Sequence, residues 1–422
     1  MPTGSIEVVP AAGSPGPLGS TPPAAPGPSG ATVSQTVAEI ARLQSLVEAD
    51  PANVDAQRDL GFALLQRFRE TADPNLYAPA ETAFEAARAL DPLDPLVYVG
   101  IGGVQLGKHE FADALDTGRA AVERSPSLAS ARAVVVDALV ELGRYDEADT
   151  AVGEMFALRS DVTTLSRVSY INELHGRLDV ALTAMRMAAA SPDLVPENAA
   201  FVNGLLGNLL VYSGDPAGAA DAYATALTFV PAHAPSLAGQ ARLAVGRGDL
   251  AAAVPLFGRA ADILPLPEYV IALAEAQTAA GMADAAGDSF KLARAEIQLF
   301  QAVGVVVDLD LALFEADHGD PAKALEYAQA TYDATPTVRA ADALAWALHA
   351  LGRDAEAKKR SDEALRLGYL EPLLLYHAGA IDAALGDMKA ARRNLKLALA
   401  IDPGFSATGA AEARRILASL PS

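Results

Sequence analysis

Apolar and small residues recur three and four positions apart along most of this chain, in paired stretches separated by short polar breaks. The clearest pair covers residues 200–231. Leu206, Gly207 and Leu210 mark one face of its first stretch, and Ala219, Tyr223 and Ala226 mark one face of its second. Steps of three and four place each set on a single helix face. Gly214-Asp215-Pro216 breaks the pattern between them, and Pro231 ends the unit. The same order returns with Gly248, Ala253, Phe257, Ala260 and Pro265. The pattern predicts a helix–turn–helix unit repeated end to end.

The register is clearest at the small residue that opens each second helix: Ala80, Ala114, Ala148, Ala181, Ala219, Ala253, Ala286, Ala324, Ala357 and Ala391. These steps are 33 or 34 residues except for two of 38. One longer step carries an insert near Ser191–Pro196, and the other lengthens a helix from Ala283 to about Val303, past Phe300. Glycine stands five residues before the alanine in eight units, from Gly143 to Gly386, where the turn between helices needs a residue tolerant of positive φ. The first unit has a long turn from Arg69 to Leu76. The second has Gly118 where the other units place larger residues, which predicts looser packing there.

A unit of about 34 residues with small residues at the helix crossing and an aromatic beside them resembles the tetratricopeptide repeat. That resemblance implies an all-α solenoid, a right-handed superhelix of about ten helical hairpins with helical caps. The expected organisation is a Pro/Gly/Ala-rich tail or linker over 1–32 and a single solenoid over 33–422. Within it, 33–50 is an N-terminal cap helix, 53–403 the ten repeats and 404–420 a C-terminal cap helix. The stretches Arg167–Gly176, Ala184–Ala188, Leu313–Gly319 and His377–Gly379 further resemble a group of bacterial tetratricopeptide proteins without an assigned reaction.

Composition narrows the function. The formal net charge is −21, which argues against nucleic acid or an anionic membrane as the main partner. There is no cysteine, so disulfides, thiolate nucleophiles and cysteine-bound metals are excluded. The longest charge-free run inside the repeats, Ala222 to Ala241, is interrupted by Pro231 and Pro235 and predicts no membrane span. The start at Met1-Pro2-Thr3-Gly4 has neither the basic residue nor the apolar run of a signal peptide, which as written reads as cytoplasmic. An export signal upstream of such a linker would instead read as exported or envelope-anchored.

Candidate chemistry is sparse. Gly102 to Lys108 has the spacing of a phosphate-binding loop, but His109 stands where a magnesium-binding Ser or Thr belongs and the glycines fall inside a predicted helix. The six histidines lack metal-ligand spacing, and Asp317-His318-Gly319-Asp320 sits at a predicted turn, where such residues cap helices. Asp308 and Asp310 are two apart and do not face each other on a helix. No cofactor, metal or catalytic set is expected.

The remaining site is the inner face, which the resemblance assigns to fixed positions of each first helix. The expected peptide-binding groove comprises Tyr170, Glu173, Phe201, Asn208, Arg242, Glu275, Trp346 and Tyr376, and the inner set also takes in Glu268, Arg339, Asp342 and His349. Its charged members are mainly acidic, which suits a neutral to basic protein or peptide. The expected function is a non-enzymatic scaffold that holds such a partner along the groove. The alternative is an accessory or recruitment subunit of an enzyme or cell-envelope assembly, docking through its outer face.

Overall fold

The computed structural model describes residues 35–192, 194–305 and 308–421; the expected tail over 1–32 lies outside them. Among the described residues the chain forms 22 α-helices and no strand. Helix α1 (Gln35–Ala49) precedes ten antiparallel hairpins and α22 (Ala407–Ser419) follows them. The hairpins are α2/α3 (Val54–Thr71, Tyr77–Leu90), α4/α5 (Pro95–Gly107, Phe111–Arg124), α6/α7 (Ala129–Glu141, Tyr145–Leu158), α8/α9 (Val162–Leu174, Leu178–Ala189) and α10/α11 (Pro196–Tyr212, Pro216–Phe229). The second five are α12/α13 (Ala234–Gly246, Leu250–Ile263), α14/α15 (Pro267–Ala279, Ala283–Ala302), α16/α17 (Asp308–His318, Pro321–Ala334), α18/α19 (Val338–Ala350, Asp354–Ala364) and α20/α21 (Pro372–Ala384, Met388–Ile401). The chain is an all-α helical-repeat solenoid.

Local chemistry sets each hairpin. In the turn between α10 and α11, Gly214 takes φ +80° and the Asp215 carboxylate accepts the Gly218 N–H at 2.9 Å. The glycine ends one helix and the aspartate satisfies the open N–H groups of the next. Gly248-Asp249 and Gly386-Asp387 repeat the device, with the aspartates accepting from Ala252 and Ala390. His109 holds the equivalent turn of the second hairpin with φ +62°, whereas Gly319 is not left-handed.

Packing explains the small residues. Nine of the ten register alanines have no accessible surface, and Ala286 has almost none. Tyr223 lies between Gly207 of its own hairpin and Gly239 of the next; a Cβ on either would fall 2.4 Å from its ring. Phe84 sits likewise between Gly61 and Gly100. Burying such a ring stabilises by about 1.5–3 kcal/mol, and only glycine lets two helices approach it from both sides. Gly118 departs from the expectation of loose packing. A Cβ there would meet Val134 and Val135 at 3.0 Å, so two valines of the next hairpin fill the space. Gly102 is likewise a packing glycine within α4, against Val134.

The superhelix closes on itself, bringing together hairpins four to six units apart in the chain. One apolar cluster joins Tyr77 and Val104 of the first two hairpins to Phe300, Leu311 and Phe314 of the seventh and eighth. A second joins Val136 and Ile171 to Val338, Tyr369 and Leu374 of the last two. A third joins Tyr212 and Leu243 to Tyr376, Phe405 and α22. Hydrogen bonds cross the same seam: Val338 N–H donates to the Tyr145 hydroxyl at 3.0 Å, Tyr212 to Glu371 at 2.7 Å and Ser406 to Glu275 at 2.7 Å. The backbone comes so close that a Cβ on Gly404 would lie 2.1 Å from the Arg242 carbonyl oxygen. The extra length of α15 serves this closure, because Phe300, in its last turn, belongs to the first of these clusters.

Candidate functional site

Closure turns the expected open groove into a cavity of about 730 Å³ inside the superhelix. Its walls come from the inner helices α14, α16, α18 and α20, from the turn after α4, and from the start of α22. Leu266, Ile271, Leu313 and Phe314 supply apolar surface, and Glu268, Asp310, Asp317 and Asp342 supply acids. Asp310 and Thr278 are among the lining residues exposed to solvent.

Of the eight expected groove residues, Arg242, Glu275 and Tyr376 line this cavity; Tyr170, Glu173, Phe201, Asn208 and Trp346 do not. Arg242 donates to Asn208 Oδ1 at 2.7 Å, and the Tyr223 hydroxyl donates to the same oxygen at 2.7 Å. Arg242 also lies in the field of Asp402 and Glu371, which together with Tyr223 hold its guanidinium charged despite its burial. Glu275 accepts from Ser406 and faces His318 Nε2 at 3.3 Å. Glu173 is buried near Glu371, and burial followed by that like charge pushes its carboxyl up to about 8. Phe201 packs at the side of the apolar cluster that contains Val202 and Tyr223. The Trp346 Nε1–H donates to Asp317 at 2.7 Å, and its ring stacks on His377 with centroids 4.0 Å apart. Tyr376 lies 5.5 Å from Phe405 across the seam.

Burial raises three acids of the wall above the ordinary carboxylate range. Burial pushes Glu268 up to about 8, Asp310 adds to the shift and Arg339 opposes it. Burial pushes Glu141 up to about 7 against the pull of Arg339. Asp137 rises to about 6 through burial, although Arg167 Nε bonds it at 2.8 Å.

Among the described residues, no group of three or more His, Asp and Glu side chains is arranged to hold a metal ion. Asp320 accepts the Ala322 N–H and caps α17, while the His318 ring packs at a tilt against Phe290, with centroids 4.3 Å apart. No helix among the described residues is long and apolar enough to cross a membrane.

Residues 75–129 and 205–266 match the family model of the tetratricopeptide repeat. The chain carries tetratricopeptide repeats. No curated protein matches it. Among solved structures, it is similar to a thermophilic tetratricopeptide protein of Thermus thermophilus, at 24% identity and a TM-score of 0.39, over 45% of this chain and 97% of that one. It is similar to pilF of Pseudomonas aeruginosa at 20% identity and a TM-score of 0.40, over 50% of this chain and 98% of that one. It is also similar to the human IFIT1 dimer with PPP-AAAA at 16% identity and a TM-score of 0.40, over 85% of this chain and 77% of that one. Tetratricopeptide folds generally mediate protein–protein interaction, and scaffolds of this kind are typically non-catalytic.

Sequence reasoning misses several members of the site, among them two with polar contacts across it. His377 belongs to the inner wall of the last hairpin, with Nδ1 2.8 Å from Asp342. Glu371 precedes Pro372 and reads as a helix cap, yet it also accepts the Tyr212 hydroxyl from the fifth hairpin. The Glu-Pro pair signals the cap; nothing local signals the tyrosine.

Proposed function

We propose that this protein is a non-enzymatic scaffold that takes a segment of a partner protein into the cavity enclosed by its superhelix. The observation that carries this reading is the cavity itself: about 730 Å³, walled by inner helices, apolar along its length and interrupted by acids. A site of that size, mostly apolar with a few convergent polar groups, has the features of a ligand pocket. Its acids favour a segment of neutral to basic character.

Peptide display against the folded chain tests the reading. Ala272, half-buried in the cavity wall on α14, is the position to fill. A selected peptide should lose at least tenfold in affinity for Ala272→Trp while the melting curve stays in place. Unchanged affinity would move binding to the outer face. That second reading, an accessory subunit docking through its outer helices, draws on the exposed apolar side chains of Phe156 on α7 and Val180 and Met187 on α9.

A further inference from the structure

One end of the cavity carries buried acceptors without donors. Asp342 on α18 and His377 on α20 are almost fully buried, at 2% and 1% exposure, and both line the cavity. His377 Nδ1 and Asp342 Oδ2 are 2.8 Å apart, a spacing that assigns the Nδ1 proton to the bond with the carboxylate. The imidazole then presents a lone pair at Nε2. Among the described residues, neither that Nε2 nor Asp342 Oδ1 has a hydrogen-bond partner. Leaving a buried acceptor unsatisfied costs about 1–3 kcal/mol, so two on adjacent residues form an unusual wall for a core and a natural one for a binding site.

The surroundings choose the sign of the missing group. Asp317 and Glu275 line the same end, and the groups that face these acids at close range are imidazoles rather than arginine or lysine: His377 beside Asp342 and His318 beside Glu275. An anion would meet carboxylates. Leu313, Phe314 and Phe405 lie around them and suit an alkyl stem. An ammonium group offers three donors and one positive charge on such a stem.

Resting on the scaffold reading above, we propose that the α18–α20 end of the cavity is a recognition pocket for an ammonium group, satisfied by Asp342 Oδ1 and His377 Nε2. A lysine side chain of the bound segment and a free alkylamine share that chemistry.

Trp346 is the only tryptophan in the sequence, and its ring stacks on His377, so its emission reports on this end of the cavity. The probes are a lysine-centred pentapeptide with four alanines and blocked ends, the same peptide with Nε-acetyl-lysine, and n-butylamine. The expected result is a saturable change in Trp346 emission with the lysine peptide, at least tenfold weaker binding of the acetylated peptide, and competition by n-butylamine. Weak n-butylamine competition beside strong lysine-peptide binding assigns the ammonium to a peptide; equal strength assigns it to a free amine. Asp342→Asn should erase the preference for lysine over acetyl-lysine. Asp317→Asn should reduce it and serves as the second variant if Asp342→Asn fails to fold. Equal binding of the two peptides, or no emission change with either, overturns the ammonium pocket. Display-selected peptides separate the two claims. Peptides blocked by Ala272→Trp but indifferent to lysine acetylation refute the pocket and leave the scaffold reading standing; peptides unaffected by Ala272→Trp refute both.

Discussion

Adding one methyl group to Gly207 should do the opposite of adding one to Gly258. Both glycines lie inside helices, α10 and α13, and in both places alanine is the better helix former by about 1 kcal/mol. Around Gly258 a Cβ meets nothing within 4 Å among the described residues, so Gly258→Ala should stabilise by about 0.5–1 kcal/mol. At Gly207 the Cβ would lie 2.4 Å from Tyr223 Cε1. Carbon atoms in contact sit about 3.5–4.0 Å apart, so the ring or the helix must retreat by roughly 1 Å or more. The ring has nowhere to go, because Gly239 already presses its other side at the same 2.4 Å spacing. Overpacking of this kind costs about 1–3 kcal/mol against a propensity gain common to both sites, so the two variants should differ by about 1–3 kcal/mol. Urea titrations followed by far-ultraviolet circular dichroism measure this as displaced midpoints in opposite directions. A double variant, Gly207→Ala with Tyr223→Leu, should recover part of the loss relative to Tyr223→Leu alone, since the clash is specific to the ring. Equal midpoints for Gly207→Ala and Gly258→Ala would refute the sandwiched-ring account of why these units carry glycine.

Three further outcomes follow from the same structure. Ala253→Leu should lower the urea midpoint well below that of Ala252→Leu, because Ala253 has no accessible surface and Ala252 is half-buried; matched midpoints would show the assigned register to be wrong. Stability should fall as pH rises from 4.5 to 8. Glu173 and Glu268, with folded-state pKa values of about 8 against 4.5 unfolded, keep protons that the unfolded chain releases, so their contribution is full below pH 4.5 and is lost as pH rises through 8. Each group contributes at most about 1.4 kcal/mol per pH unit, and thermal midpoints of Glu173→Gln should fall less steeply over that window than those of the parent; identical slopes would contradict the buried-acid assignment. Gly404→Ala should force the turn before α22 away from α12 and open the seam, which small-angle scattering would register as a larger radius of gyration; an unchanged profile would mean that the contact does not hold the superhelix closed.

The hairpins were legible in the sequence because their causes are local. Ala253 and its nine counterparts, and turns such as Gly214-Asp215, act within one unit or between neighbours, and a fixed period exposes them. His109 shows the limit even there, since a histidine holds a left-handed turn that the pattern reserves for glycine. Closure is a different kind of fact. It accumulates from a small rotation at each of several successive interfaces, and no residue near Tyr145 announces that Val338 will meet it. The inner-face register consequently named Arg242, Glu275 and Tyr376, which line the cavity. It could not foresee that Trp346 would be drawn into a stack with His377, or that Ser406 would bind Glu275 from a cap helix.

The seam also bears on how such a chain can change length. In an open solenoid each unit touches only its neighbours, so a hairpin can be gained or lost with merely local repair. Here Tyr145 depends on Val338, Tyr212 on Glu371 and Glu275 on Ser406, and each bond requires its own particular number of intervening hairpins. Removing one unit from the middle would shift every later partner out of phase at once. The array behaves less like a string of beads than like a threaded screw, in which the pitch, and with it the number of turns, is part of what the sequence must keep to remain folded.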